Sequence, residues 1–252
     1  MLIKNVIKSV LLVVFMFQKG ICQESASGFK ASQLKYARVK AAYDSKWPSL
    51  QTELKSQKLN VNEFDIYLRV FKQEKELQVW MKNKSETTYK LFKTYDICAS
   101  SGTLGPKRKE GDGQVPEGFY KIDLFNPSSN YHLSMRVSYP NTSDVKLKSG
   151  NNAGGAIMVH GNCVTIGCLP ITDDKIKELY VLCVEVQNRK RPIQIDIYPA
   201  KLTDANLKLL HLSYPKSYLE FWNTLKPAYT YFETHKSPAK VKTNAKGSYV
   251  YE

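Results

Sequence analysis

The chain has 252 residues, which is enough for one large domain or two small ones with a substantial buried core. Hydrophobic residues make up 42% and charged residues 24%, a globular mixture that excludes wholesale disorder and a collagen-like fibre. The formal net charge of +14 favours an anionic neighbour. The basic residues are scattered, however, and no nucleic-acid-binding motif is evident, so we expect no nucleic-acid partner.

The first 22 residues have the organisation of a secretory signal peptide. Lys4 and Lys8 form a basic start, and the apolar run that follows, residues 10–17, is too short to span a bilayer. Small residues then form a cleavage pattern that ends at Cys22, so we expect a secreted chain beginning at Gln23, without stable membrane insertion. An uncleaved anchor and a lipid on Cys22 remain open.

A helical segment over residues 23–62 is predicted next, since apolar residues recur at three- and four-residue steps and Pro48 marks a break or a second start. From residue 63 apolar and polar residues alternate, which predicts short strands and a mainly β domain over residues 63–199, of the α+β class. The predicted strands are 64–71, 76–81, 87–98, 118–125, 131–139, 155–161 and 192–198.

Three further segments complete the predicted organisation. A helix begins near Thr172 within the mainly β domain, with Asp173 and Asp174 in its first turn, where the helix dipole favours negative charge. A C-terminal helical extension rich in aromatic residues covers residues 200–235. The basic tail, residues 236–252, is predicted to be disordered.

The residues best suited to chemistry lie between Met158 and Ile171. An apolar strand leads to His160, and Cys168 follows eight residues later, just before the predicted helix. A thiolate beside a histidine and a helix N-terminus has a lowered pKa and is a strong nucleophile. Gly161 and Gly167 permit close backbone approach, and exposed amides around the cysteine would form an oxyanion hole. This combination indicates acyl transfer through a thioester.

Other interpretations of the five cysteines stay open at this point. His160, Cys163, Cys168 and Cys183 would provide four zinc ligands, but the spacing lacks a CxxC knuckle, and we expect no metal and no other cofactor. A Cys163–Cys168 disulfide would consume the proposed nucleophile. Cys98 and Cys183 are expected to pack as small apolar residues, or to pair if the fold brings them together.

The segment VHGNCVTIGCLPIT, residues 159–172, resembles the active-site segment of the L,D-transpeptidase catalytic (YkuD-type) domain family. The short interval between histidine and cysteine resembles the YafK-like branch of that family, and three other segments agree in order: residues 101–123, 131–141 and 221–233. The similarity runs from about residue 63 to residue 233. It implies a sandwich or barrel-like β domain with helical flanks at both ends.

Carried over residue by residue, the resemblance implies that Cys168 is the acylated nucleophile and His160 the general base and acid. It implies that the Gly161 carbonyl orients the imidazole, that Thr165 occupies the family's Ser/Thr position and that Gly167 frees the amides around the thiol.

The implied substrate is a peptidoglycan stem peptide in the envelope or periplasm of a bacterium, with a role in wall remodelling and cell shape. This chain departs from the commoner pattern at Ile166, where many members have a second histidine, and at Pro170, where many have Arg or Asn. The acyl acceptor is therefore open, and so is the oligomeric state. Hydrolysis of the same bonds and non-catalytic wall binding are the alternatives.

Three more residues are candidates for substrate binding. Residues 105–120 are dense in glycine, proline and charge, which is typical of a surface loop, and Lys107 and Arg108 within it would face an anionic peptide. His132 alternates with apolar residues on a predicted strand and would line the cleft. The alternative is a structural histidine whose ring nitrogens are hydrogen-bonded within the protein.

Overall fold

The computed structural model describes residues 28–252, and the predicted signal peptide lies outside them. Eight strands form one mixed sheet, in the order β3-β2-β1-β8-β4-β5-β6-β7. The strands of this sheet are β1 (Phe64–Phe71), β2 (Glu76–Asn83), β3 (Lys90–Asp96), β4 (Gly118–Asn126), β5 (Ser134–Val137), β6 (Met158–His160), β7 (Leu169–Pro170) and β8 (Gln194–Tyr198).

The helices are placed before, within and after the strands of the sheet, which confirms the predicted α+β class. None of them, within residues 28–252, is long and apolar enough to cross a membrane. The helices are α1 (Phe29–Gln33), α2 (Ala37–Ser56), α3 (Thr142–Leu147), α4 (Thr172–Asn188), α5 (Asp204–Ser213) and α6 (Lys216–His235).

The central strand β1 is covered on both faces, so every residue in it is buried. It pairs antiparallel with β2 and parallel with β8, where Arg69 lies opposite Asp196. Ile66, Leu68 and Val70 join the main core, which also contains the apolar residues of α4. The predicted alternation is therefore correct for the strand, but its polar positions do not face solvent.

Helix α2 continues through Pro48 rather than breaking there. Val39 in its first half and Leu50 and Leu54 in its second half are all buried in the main core. Because both halves bury apolar side chains against the same core, packing compensates for the single hydrogen bond that a proline removes.

Arg69 fastens helix α6 to the sheet. Its guanidinium is 2.6 Å from the Glu233 carboxylate, and its side chain is only 1% exposed. The guanidinium carbon also lies 4.4 Å from the centre of the Phe232 ring and 5.1 Å from that of Tyr229. Its Nε and Nη2 atoms have no hydrogen-bond partner among the described residues, so aromatic ring faces provide their surroundings.

Replacing Arg69 with Ala should lower the free energy of unfolding by about 3 kcal/mol, because it removes packing from several rings and leaves a cavity at a buried ionic site. Chemical denaturation measures this change. Lys84→Ala is the control, since Lys84 pairs with Glu63 at an exposed site where both side chains are at least half accessible. The control should change stability by less than about 0.5 kcal/mol. Equal effects of the two substitutions would contradict the assignment.

The prediction of a disordered tail was wrong. Strands β9 (Val241–Thr243) and β10 (Tyr249–Tyr251) form an antiparallel hairpin within residues 236–252. Tyr249 is buried, its ring centre lies 4.8 Å from that of Phe119, and its hydroxyl accepts a 2.7 Å hydrogen bond from Asn141. The count of basic residues indicated disorder, but the buried Tyr249 ring and a 2.6 Å hydrogen bond from the Ser143 hydroxyl to the Gly247 carbonyl hold the hairpin on the domain.

Candidate active site

The strand β6 ends at His160, and the strand β7 begins directly after Cys168. They pair in parallel, with Val159 opposite Leu169, and both of these side chains are buried in the core. The Cys168 thiol donates a 3.7 Å hydrogen bond to the Ala156 carbonyl oxygen, two residues before β6. Because residues two apart on a strand share a face, Met158 and His160 lie on the face opposite Val159.

His160 is held in one tautomer by its neighbour. Its ring Nδ1 lies 2.5 Å from the Gly161 carbonyl oxygen, and since a carbonyl only accepts, Nδ1 carries the proton. That leaves Nε2 as the basic nitrogen. Burial lowers the pKa of His160 below its usual value of 6.5, opposed by the bond to Gly161. The imidazole is therefore neutral at neutral pH and can accept a proton.

The Cys168 side chain is half-buried, and this changes its expected protonation. Burial raises the pKa of the Cys168 thiol, while the Met158 amide and the charge of Lys107 act in the opposite direction. The sequence-based expectation of a lowered pKa was wrong, because desolvation of the thiolate outweighs the nearby positive charge. The resting group is a thiol, so its proton must leave as it attacks.

The turn before Cys168 is organised by Thr165. The Thr165 hydroxyl oxygen accepts hydrogen bonds from the amides of Cys168 at 2.7 Å and Gly167 at 3.2 Å, and it donates to the Cys168 carbonyl at 2.9 Å. These two amides are therefore occupied, and the structure does not leave them open as the oxyanion hole that the sequence suggested. Gly167 has φ 129°, and a Cβ there would lie 3.1 Å from the Gln114 carbonyl oxygen, which explains the glycine.

Cys168 forms part of the wall of a cleft of about 400 Å³. Two cations line this cleft. The Lys72 ammonium is bound to Glu117 at 2.8 Å and to two backbone carbonyls, so it is a structural group. The Lys75 ammonium, by contrast, has no carboxylate or hydrogen-bond partner within residues 28–252. The other lining residues are Gln73, Ile97, Ala99, Ser100, Ser101, Gly102, Thr103, Leu104, Val115, Leu169 and Tyr214.

The three predicted substrate-binding residues lie elsewhere or have internal partners. Lys107 is buried and bound to Asp112 at 2.6 Å, because its side chain turns inward to hold its own loop together. Arg108 lies over the Phe221 ring at 4.7 Å, so it is occupied by packing against α6. His132 precedes β5 in a loop, with φ 69°, and is absent from the lining of the cleft. Lys107 and Arg108 are therefore not free to hold a peptide.

The cysteines pair differently from the alternative that the sequence left open. Cys98 and Cys163 form a disulfide, with Cα atoms 5.4 Å apart, and Cys168 is free. Cys183 is fully buried on α4, where it packs as a small apolar residue. Within the described part of the chain, no group of three or more His, Cys, Asp and Glu residues is arranged to hold a metal ion.

Sequence reasoning missed two residues of the site. Lys75 has φ 55° and lies in the charged turn between β1 and β2. The sequence pattern of this turn indicated a hairpin but no role in the site. Its place in the cleft follows from contact between segments distant in sequence. Cys98 is 65 residues from its partner, and nothing local identifies that pair.

Comparisons with known proteins show the family of this chain. The model of the L,D-transpeptidase catalytic domain, YkuD, matches residues 65–195. YafK of Escherichia coli strain K12, whose name places it among the L,D-transpeptidases, is 36% identical over 188 residues, covering 73% of this chain and 73% of that protein.

Two solved structures are more distant. The helical cell shape determining protein Pgp2 of Campylobacter jejuni has 17% identity and a TM-score of 0.44, covering 73% of this chain and 74% of that one. Bd1075 of Bdellovibrio bacteriovorus has 20% identity and a TM-score of 0.37, covering 67% and 63%. On the family model and the 36% identity to YafK, this chain belongs to the L,D-transpeptidase catalytic domain family.

Proposed function

We propose that this chain is a cysteine-dependent acyl transferase that acts on peptidoglycan stem peptides in the bacterial cell envelope. The observation that carries the proposal is the free Cys168 thiol on the wall of a cleft of about 400 Å³, with the neutral His160 imidazole on β6, the strand that pairs with β7 directly after Cys168. The family and the L,D-transpeptidase name of YafK support the reaction class. The name of Pgp2 as a cell shape determinant agrees with a role in wall remodelling.

The first half of the proposed reaction forms a thioester. His160 Nε2 takes the proton of the Cys168 thiol as the sulfur attacks the carbonyl at the L-centre of a diamino acid. The carbonyl carbon then loses its amine, which leaves with the proton returned by the imidazolium. The contact of Nδ1 with the Gly161 carbonyl keeps Nε2 available for both transfers.

The second half passes the acyl group to an acceptor. An amine gives transpeptidation, and water gives hydrolysis; in both cases His160 Nε2 removes a proton from the acceptor and the thiol is restored. Hydrolysis is the second candidate because Ile166, which replaces the second histidine common in the family, is 89% exposed two residues before the nucleophile. An apolar side chain there cannot hydrogen-bond an incoming amine.

Incubation of the purified protein with muropeptides, followed by mass spectrometry, tests the proposal. New cross-links or exchanged terminal D-amino acids indicate transpeptidation. Addition of water with loss of an amine component indicates hydrolysis. If the protein binds muropeptides without changing their mass, and Cys168→Ala binds them equally well, the chain is a wall-binding module and not an enzyme.

Lys75 is the residue expected to hold a carboxylate of the stem peptide, because it lines the cleft and its ammonium has no internal partner within residues 28–252. Lys75→Gln should raise KM about fivefold to tenfold with little change in kcat, as expected for the loss of one partly exposed charge-assisted contact. Steady-state kinetics on one muropeptide measures this effect.

Two controls sharpen the Lys75 test. Lys75→Arg keeps the charge and should restore most of the affinity, whereas Lys84→Gln, at an exposed site outside the cleft, should leave KM unchanged. A substrate with amidated carboxylates should also lose its sensitivity to Lys75→Gln. An undiminished effect on the amidated substrate would assign Lys75 another role.

A further inference from the structure

The Cys98–Cys163 disulfide joins the two ends of the curled sheet beside the nucleophile. Strands β3 and β7 are the opposite edges of the sheet. The chain leaving β3 nevertheless reaches β7, since the Cys98 amide donates a 3.0 Å hydrogen bond to the Pro170 carbonyl. The disulfide adds a covalent bond between residues 65 apart in sequence at the same point.

The loop between His160 and Cys168 has little packing of its own. Asn162, Cys163, Val164 and Ile166 are all exposed, so apolar burial does not hold the middle of this loop. Its ends are fixed by polar contacts: the Asn162 amide donates to Asp173 at 2.8 Å, and the Thr165 hydroxyl binds the Cys168 turn. The disulfide at Cys163 is therefore the main restraint between these two ends.

The other half of the disulfide belongs to the facing wall of the cleft. Ile97 and Ala99, on either side of Cys98, both line the cleft, and the segment that follows continues the wall to Leu104. That wall has contacts of its own, including a 2.9 Å hydrogen bond from the Ser101 hydroxyl to the Gly113 carbonyl. The disulfide thus links a wall segment that has its own hydrogen bonds to the loop that carries the nucleophile.

We propose that the Cys98–Cys163 disulfide is a clasp that positions the Cys168 loop against the facing wall of the cleft, so that full turnover requires the oxidised form. The inference rests on the proposed function. Cys98 and Cys163 act through the loop and are positioning residues. A covalent restraint on a loop with so few contacts limits its conformations, and small displacements of a nucleophile are costly to catalysis.

Opening the clasp requires a reductant, for which a dithiol is sufficient. One thiolate of the dithiol attacks an exposed clasp sulfur and forms a mixed disulfide, which the second thiolate then cleaves. The dithiol is oxidised to a cyclic disulfide, and two electrons and two protons pass to Cys98 and Cys163. Both sulfurs belong to exposed residues, so a small dithiol can reach them.

The test compares oxidised wild type, dithiol-reduced wild type and the Cys98→Ser/Cys163→Ser double variant, each well below its unfolding temperature. Opening should lower kcat at least about tenfold with a much smaller change in KM, because the nucleophile loop moves while the facing wall keeps its contacts. Iodoacetamide should label Cys168 several-fold faster in the opened forms, since the loosened loop exposes the half-buried thiol. Peptide mapping identifies the labelled cysteine.

Matched variants separate positioning from general stability. Leu54→Ala removes a buried side chain of α2 away from the cleft and should lower the unfolding temperature without reducing kcat more than about twofold. The double serine variant should be insensitive to the dithiol. If it does not fold, reduction of the folded wild type provides the same comparison.

Unchanged kcat and unchanged labelling of Cys168 after opening would overturn the clasp while leaving the proposed function intact. If the oxidised protein transforms no muropeptide, the proposed function fails. In that case the rates at which iodoacetamide labels Cys168 in the oxidised and opened forms alone test whether the disulfide positions the loop.

Discussion

Replacing Cys168 with Ala is expected to reduce turnover of muropeptides by on the order of 10⁴-fold or more, because the proposed thioester requires the sulfur of Cys168. Cys168 is the free cysteine that reaches the cleft; the other free cysteine of the described chain, Cys183, is fully buried. Steady-state kinetics and intact-mass analysis of the acylated wild type measure the effect. The variant should show no adduct.

Thiol labelling provides an independent readout for the nucleophile. In the native oxidised protein, iodoacetamide should modify Cys168 alone, since Cys98 and Cys163 are paired and Cys183 is inaccessible. Modification should abolish turnover in proportion to the fraction labelled. Turnover that survives complete labelling, or an adduct on Cys183, would exclude the single-thiol mechanism.

Replacing His160 with Gln is expected to lower kcat/KM by about 10²- to 10³-fold at neutral pH, because the proton acceptor for the thiol is lost. Since burial lowers the pKa of His160, the neutral base persists as the pH falls, and wild-type activity should decline only below pH 6.5. The variant should lack this acid limb. Its activity should instead rise with pH as hydroxide forms the thiolate, whose raised pKa puts this rise on the alkaline side.

His132→Gln is the matched control for the His160 substitution, since it changes a histidine in the loop before β5, outside the strand that carries His160. The control should keep activity within about twofold and retain the acid limb. Circular dichroism checks that both variants are folded. A folded His160→Gln protein with wild-type kinetics would show that the imidazole is not the base.

The sequence by itself determined the features that depend on neighbouring residues. The alternation in FDIYLRVF predicted β1 with its observed bounds, Phe64–Phe71, because a strand repeats every two residues whatever covers it. The order of His160, Gly161, Thr165, Gly167 and Cys168 was sufficient to identify the family, since these residues act within one strand–turn–strand unit.

Tertiary structure decided the features that depend on contact between distant segments. The curl of the sheet brings Cys98 to Cys163, and burial rather than local charge sets the direction of the Cys168 pKa shift. Lys107 turns inward to Asp112, while Lys75 is among the residues that line the cleft. Packing on Phe119 orders a tail whose composition indicated disorder. Pairing, desolvation and exposure depend on what surrounds a side chain in space, and local sequence patterns do not contain that information.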